Sequence, residues 1–105
     1  MSAATHVPNI MAKAPYTFAE DMTDERQAEA LRITKEAFDV SHNKEYRGDS
    51  QYCSIARNIR TKFEEAHGKG WCCVVGKSFG SFVTHQMKTY IYCSYGGINV
   101  LLWKP

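Results

Sequence analysis

The last third of the chain constrains its fold most. From Trp71 the sequence reads WCCVVGKSFGSFVTHQMKTYIYCSYGGINVLLWKP. It is rich in β-branched and aromatic residues, and much of it alternates with period two. Gly96-Gly97 divides two of the alternating runs, and a two-residue glycine loop in that setting signals a tight hairpin. The pattern predicts strands over Trp71–Val75, Phe79–His85, Lys88–Tyr95 and Ile98–Trp103. Strands in such density need a covering layer, and the preceding residues supply it. Ile55, Ile59, Phe63 and Ala66 recur at steps of four, four and three, with Ala56 beside them. That is one apolar face of a helix. Asp49 or Ser50 can cap its start, and Gly68 ends it.

An earlier helix starts after Thr23, an N-cap residue, with Asp24 and Glu25 at the positive helix end. It runs to about Asp39, with Ala30, Leu31, Ile33, Ala37 and Phe38 as its apolar face. Residues 41–50 are polar, contain a glycine and read as a loop. Tyr16-Thr17-Phe18-Ala19 alternates as a short strand. Residues 1–14 show no periodicity and are expected to form a disordered tail, leaving 15–105 as one domain. The order strand, helix, helix, strands gives the α+β class, two helices packed on a mainly antiparallel sheet. At 105 residues the core is modest, so association or a ligand is expected to contribute to stability.

Several functions are disfavoured. A net charge of +2 from scattered Lys and Arg gives no footprint for nucleic acid. No apolar run approaches the roughly 20 residues that span a bilayer. The start Met-Ser-Ala-Ala lacks a secretory pattern, and Ser2 stands where myristoylation requires glycine. An intracellular, soluble protein is expected. Its four cysteines, Cys53, Cys72, Cys73 and Cys93, are an even count that could form two disulfides, but in that setting they are expected as reduced, buried thiols. None forms a Cys-x-x-Cys pair. Cys72 and Cys73 are adjacent, so on a strand they face opposite ways and cannot readily share a metal. No cofactor is called for.

Gly76-Lys77-Ser78 after a hydrophobic run invites comparison with a phosphate loop. That motif needs a glycine five residues before Gly76. Position 71 is Trp71, and Gly70 comes one residue too early. The loop also needs a helix to open at the lysine, but Phe79, Phe82, Val83 and Thr84 are strand formers. His85 with Cys93 or Lys88 lacks a third group to orient a nucleophile. The stretch from Asp49 lacks the alternating oxygen ligands and central glycine of a calcium loop. A non-catalytic protein is expected.

As a strand, Phe79–His85 points Phe79, Ser81, Val83 and His85 one way and Gly80, Phe82 and Thr84 the other. Both faces carry apolar groups, and few charges guard the edge. Such a strand lies either inside a small sheet or at an edge that another chain covers. Here the sequence resembles the eight-kilodalton dynein light chain family. The shared residues are Trp71, Val74-Val75-Gly76, Phe79-Gly80-Ser81-Phe82-Val83-Thr84-His85, Lys88, Tyr90-Ile91-Tyr92, Gly96 and Leu101-Leu102-Trp103-Lys104. Phe82, Tyr90 and Trp103 are conservative variants of family residues. Asp21-Met22-Thr23, Ala37-Phe38 and the Ile55/Ile59/Phe63 stripe match upstream, so the resemblance spans about residues 16–105.

The resemblance implies a homodimer in which the Phe79–His85 strand crosses to the partner's sheet. Cys72, Gly76, Ser78, Phe79 and Ser81 would lie at that interface. A short target peptide would add as a further antiparallel strand, with pockets for alternate side chains. Phe79, Gly80, Ser81, Phe82, Val83, Thr84 and His85 would present the pairing edge. Thr84 and His85 would also give side-chain hydrogen bonds, and Phe82, Tyr90, Tyr92 and Leu101 would line the groove. Tyr52 and Cys53 would meet the target's glutamine at the second helix's N-terminus. Implied partners are the dynein intermediate chain and other proteins with Thr-Gln-Thr-like or Gly-Ile-Gln-like motifs. The implied location is the cytoplasm, on the microtubule cytoskeleton with the dynein motor. A diverged paralogue that dimerises other partners without the motor is the alternative.

Six departures from the family stand out. The inter-helix loop and the N-terminal tail are longer. Cys53 replaces a usual lysine, and Ser94 replaces an aromatic, which is expected to shift target preference. Cys72 stands where a histidine usually makes dimerisation sensitive to pH, so the dimer is expected to persist in mild acid. The chain ends at Pro105 without the family's terminal serine, so control by phosphorylation there is not expected.

Overall fold

The computed structural model describes residues 14–41 and 49–105. The expected tail, Ala14 apart, and loop residues 42–48 lie outside them. The elements are β1 (Tyr16–Asp21), α1 (Asp24–Ser41), α2 (Asp49–His67), β2 (Cys72–Gly76), β3 (Tyr90–Tyr95) and β4 (Ile98–Trp103). The strands form one antiparallel sheet in the order β1-β3-β4-β2, and both helices pack against it. The α+β class holds.

Local chemistry accounts for the boundaries. The Arg26 amide donates to Thr23 Oγ1 at 3.1 Å, so Thr23 caps α1 as its side chain predicts. Gly68 has φ +85°, and its amide donates to the Glu64 carbonyl at 2.9 Å, closing α2 with a left-handed residue. Gly96 and Gly97 have φ +60° and +83°, the two positive angles that the tight β3–β4 turn requires. One interval in the register, between Thr17 and Ala19, is irregular. The bulge there displaces Phe18 from the β1 ladder.

The register assigns each sheet residue a face, because partners directly opposite share one. Ile91 pairs with Leu102 and Leu102 with Cys73; Cys93 pairs with Val100 and Val100 with Val75. Ile91, Cys93, Val100 and Leu102 join Ile33, Ala37, Ile55, Ile59, Phe63 and Trp71 in a single buried cluster, with Cys73 and Val75 packed against it. This inner face is the core. The stripe read from the sequence lies at its centre, with Phe63 edge-on to Trp71 at 4.6 Å between ring centroids.

Two strand expectations are corrected. The run Lys88–Tyr95 begins pairing only at Tyr90, because Lys88 turns through φ +62°. The run Phe79–His85 forms no strand ladder. Its composition favours extension, but the chain's four-stranded sheet forms without it.

Candidate functional site

The sheet's outer face carries most of the residues that the sequence singles out. The same register places Tyr92, Leu101 and Val74 in one row, Tyr90, Trp103 and Cys72 in a second, and Ser94, Asn99 and Gly76 in a third. From β1, Asp21 joins the Tyr90 row, Ala19 the Tyr92 row and Tyr16 the Ser94 row. The bulge sends Phe18 to this side, where its ring centroid lies 5.0 Å from Tyr92 and 5.3 Å from Tyr16. Among the described residues, no helix covers this face. Tyr16, Phe18 and Val74 are exposed on it, while Leu101 is buried at its centre.

Residues 77–88 extend from this face. The carbonyl of Lys77 accepts from Asn99 Nδ2 at 3.4 Å. Phe79 leans back, its ring 5.9 Å from Tyr92 and 3.6 Å from where a Cβ on Gly76 would sit. His85 lies 4.9 Å ring to ring from Tyr90. Between these anchors the chain forms no helix, ladder, turn or bend. Phe79, Val83 and His85 are half-buried, while Gly80, Ser81, Phe82 and Thr84 are exposed. Apart from Ser81, this is the expected alternation. Phe82 is 103% exposed. Among the described residues, no backbone N–H or C=O from Phe79 to His85 bonds another backbone group.

The chain returns to the sheet through a heavily bonded turn. The Gln86 amide donates to the Lys104 carbonyl at 2.8 Å, and the Lys104 amide to the Thr89 carbonyl at 3.0 Å. The buried Thr89 hydroxyl donates to the Gln86 carbonyl at 2.7 Å. The Lys88 amide donates to Asp21 Oδ2 at 3.0 Å. That bond, foremost, holds the Asp21 carboxyl below its usual range.

The structure thus brings Phe79, Gly80, Ser81, Phe82, Val83, Thr84, His85, Tyr90, Tyr92 and Leu101 to one face and its overhanging segment, together with Cys72, Gly76 and Ser78. Tyr52 and Cys53 are placed separately, near the start of α2. Tyr52 packs against the core cluster, whereas Cys53 is exposed, which corrects the expectation that all four thiols are buried. Ser94 is half-buried in the Asn99 row. Sequence reasoning missed Asp21, Arg26 and Thr89, which fix the return turn. The turn at Lys88 leaves no trace in the sequence, because lysine carries no signal for positive φ.

The four thiols are free. Burial pushes the Cys93 thiol up to about 11 and the Cys73 thiol higher still, so neither favours the nucleophilic thiolate. Among the described residues no cluster of three or more His, Cys, Asp or Glu could hold a metal ion. No described helix is long and apolar enough to cross a membrane.

Comparison with known proteins follows the same outline. The family model described as dynein light chain type 1 matches residues 15–105. A cytoplasmic dynein light chain of Emericella nidulans is 37% identical over 90 residues, 86% of this chain and 87% of that protein. Cytoplasmic dynein light chain 1 of Candida glabrata is 34% identical over 86 residues, 82% of this chain and 91% of that protein. The solved dynein light chain-like domain of the Fasciola hepatica calcium binding protein FhCaBP2 has the same fold. Its TM-score is 0.73 at 24% identity, over 89% of this chain and 92% of that one.

Proposed function

The chain belongs to the dynein light chain family, and from that premise we propose that it acts as a non-catalytic homodimeric hub that captures short linear peptides by strand addition. One observation carries the proposal. Phe79–His85 forms no helix, ladder, turn or bend, its backbone bonds no other described backbone group, and Phe82 is wholly exposed. Unpaired backbone beside exposed aromatic surface is a template for another chain.

An extended strand has two hydrogen-bonding edges. One would pair with a second subunit and the other with a target, whose alternate side chains would select the fit. The acceptor on the second subunit is β2. The other free edge of the sheet, β1, is interrupted by the bulge at Thr17–Ala19, and bulges disrupt pairing. β2 pairs regularly from Cys72 to Gly76 and offers a continuous edge. Two subunits would then cover the outer face, with Cys72, Gly76, Ser78, Phe79 and Ser81 at the contact. Phe82, Thr84, His85, Tyr90, Tyr92 and Leu101 would shape the peptide groove, and Tyr52 and Cys53 would close its end. Two grooves per dimer hold targets in pairs and raise avidity.

The names of its relatives support a cytoplasmic protein of the dynein motor. The dynein intermediate chain and other carriers of Thr-Gln-Thr-like or Gly-Ile-Gln-like motifs are the proposed targets. Amide hydrogen exchange tests the pairing. Amides of residues 79–85 should be protected at concentrations where the protein is dimeric and gain further protection with peptide. Rapid exchange under both conditions would refute strand addition.

A further inference from the structure

We propose that Asp21 and Arg26 form a latch on Lys88 that positions the pairing segment before any partner arrives. The inference rests on the strand-pairing reading above.

Lys88 has φ +62°, a left-handed conformation that a lysine adopts only when its surroundings impose it. Two residues from different elements impose it. Asp21, the last residue of β1, accepts the Lys88 amide at 3.0 Å, and its other carboxylate oxygen lies 3.5 Å from Lys88 Nζ. Arg26, in the first turn of α1, donates to the Lys88 carbonyl at 2.8 Å. Arg26 is itself oriented, because its guanidinium carbon lies 5.7 Å from the ring centroid of Trp71. Trp71 is buried in the core. Both backbone groups of one strained residue are therefore tied to rigid elements.

The latch sits three residues beyond His85, at the base of a segment with no backbone pairing of its own. His85 Nδ1 also lies 3.9 Å from Asp21 Oδ2, so the same carboxylate reaches the end of the segment. A strand fixed at its base enters a partner's sheet in one register and loses less freedom on pairing. Asp21 and Arg26 are thus positioning residues, acting on the partner through Lys88.

Chymotryptic cleavage after Phe82, followed by mass spectrometry on the full chain, reads the segment directly. Asp21→Ala should be cut about tenfold faster than wild type, the factor that accompanies loss of one charge-assisted hydrogen bond. Asp21→Asn keeps an acceptor for the Lys88 amide and should stay near wild type. Adding Lys88→Gly to Asp21→Ala should restore much of the protection, because glycine takes positive φ without a clamp. A loss that was merely structural would not be rescued by removing a second side chain. Cleavage of Asp21→Ala at the wild-type rate, or no rescue by Lys88→Gly, would overturn the latch. Light scattering on the wild type separates the two proposals. A monomer would overturn the exchanged-strand dimer, while the cleavage comparison would still decide the latch.

Discussion

Replacing Phe82 with alanine should separate folding from association. Phe82 is 103% exposed and makes no ring contact among the described residues, so its truncation removes nothing described that holds the fold. Intrinsic subunit stability, extrapolated to low protein concentration, should change by no more than about 0.5 kcal/mol. Any chain that pairs with Phe79–His85 comes to lie beside this ring. Burying a phenylalanine side chain contributes about 1.5–3 kcal/mol, and each 1.4 kcal/mol or so is tenfold in affinity. Association in Phe82→Ala should therefore weaken roughly 10- to 100-fold. Sedimentation across a dilution series reads the subunit contact, and calorimetric titration reads the peptide contact. At least one constant must move by that factor. If both stay put, or if the isolated subunit is destabilised instead, the template account fails.

Three further outcomes are expected. Phe63→Ala opens a cavity beneath Trp71, since Phe63 is fully buried, and should cost about 3–5 kcal/mol in urea unfolding; a loss below about 1 kcal/mol would place the core elsewhere. Cys93, whose thiol is raised to about 11 by burial, keeps its proton in the folded state after an unfolded thiol, near pH 8.5, has lost it. Its contribution is fully present below about pH 8.5 and falls as pH rises toward 11; Cys93→Ala should flatten that decline, and identical slopes would contradict the linkage. Cys72 lies on the outer face where the resemblance implies a histidine, and as a thiol it lacks that titration, so the mass of the proposed dimer should hold from about pH 7.5 to 5.5; dissociation with a midpoint near the histidine pKa would refute this.

What was legible in the sequence was local. Gly96-Gly97 announced the hairpin, Thr23 the helix cap, and Ile55, Ile59 and Phe63 the core stripe, because each depends on residues a few positions apart. The alternation of Phe79–His85 was legible for the same reason, and its exposure pattern largely follows. Its pairing was not, since period two specifies extension and says nothing about which chain supplies the partner. The Phe18 bulge and the left-handed Lys88 were hidden too. Lys88 is held by Asp21, 67 positions away, and by Arg26, 62 positions away. Neither residue announces that contact in its own neighbourhood. The resemblance supplied Tyr52 and Cys53, which the subunit places near the start of α2, away from the pairing segment's own sequence.

The most direct test is titration of the purified protein with a labelled Thr-Gln-Thr peptide, with light scattering on the same sample. The account predicts a particle of twice the 11.9 kDa chain mass that saturates at one peptide per subunit. A monomer that ignores the peptide would contradict it.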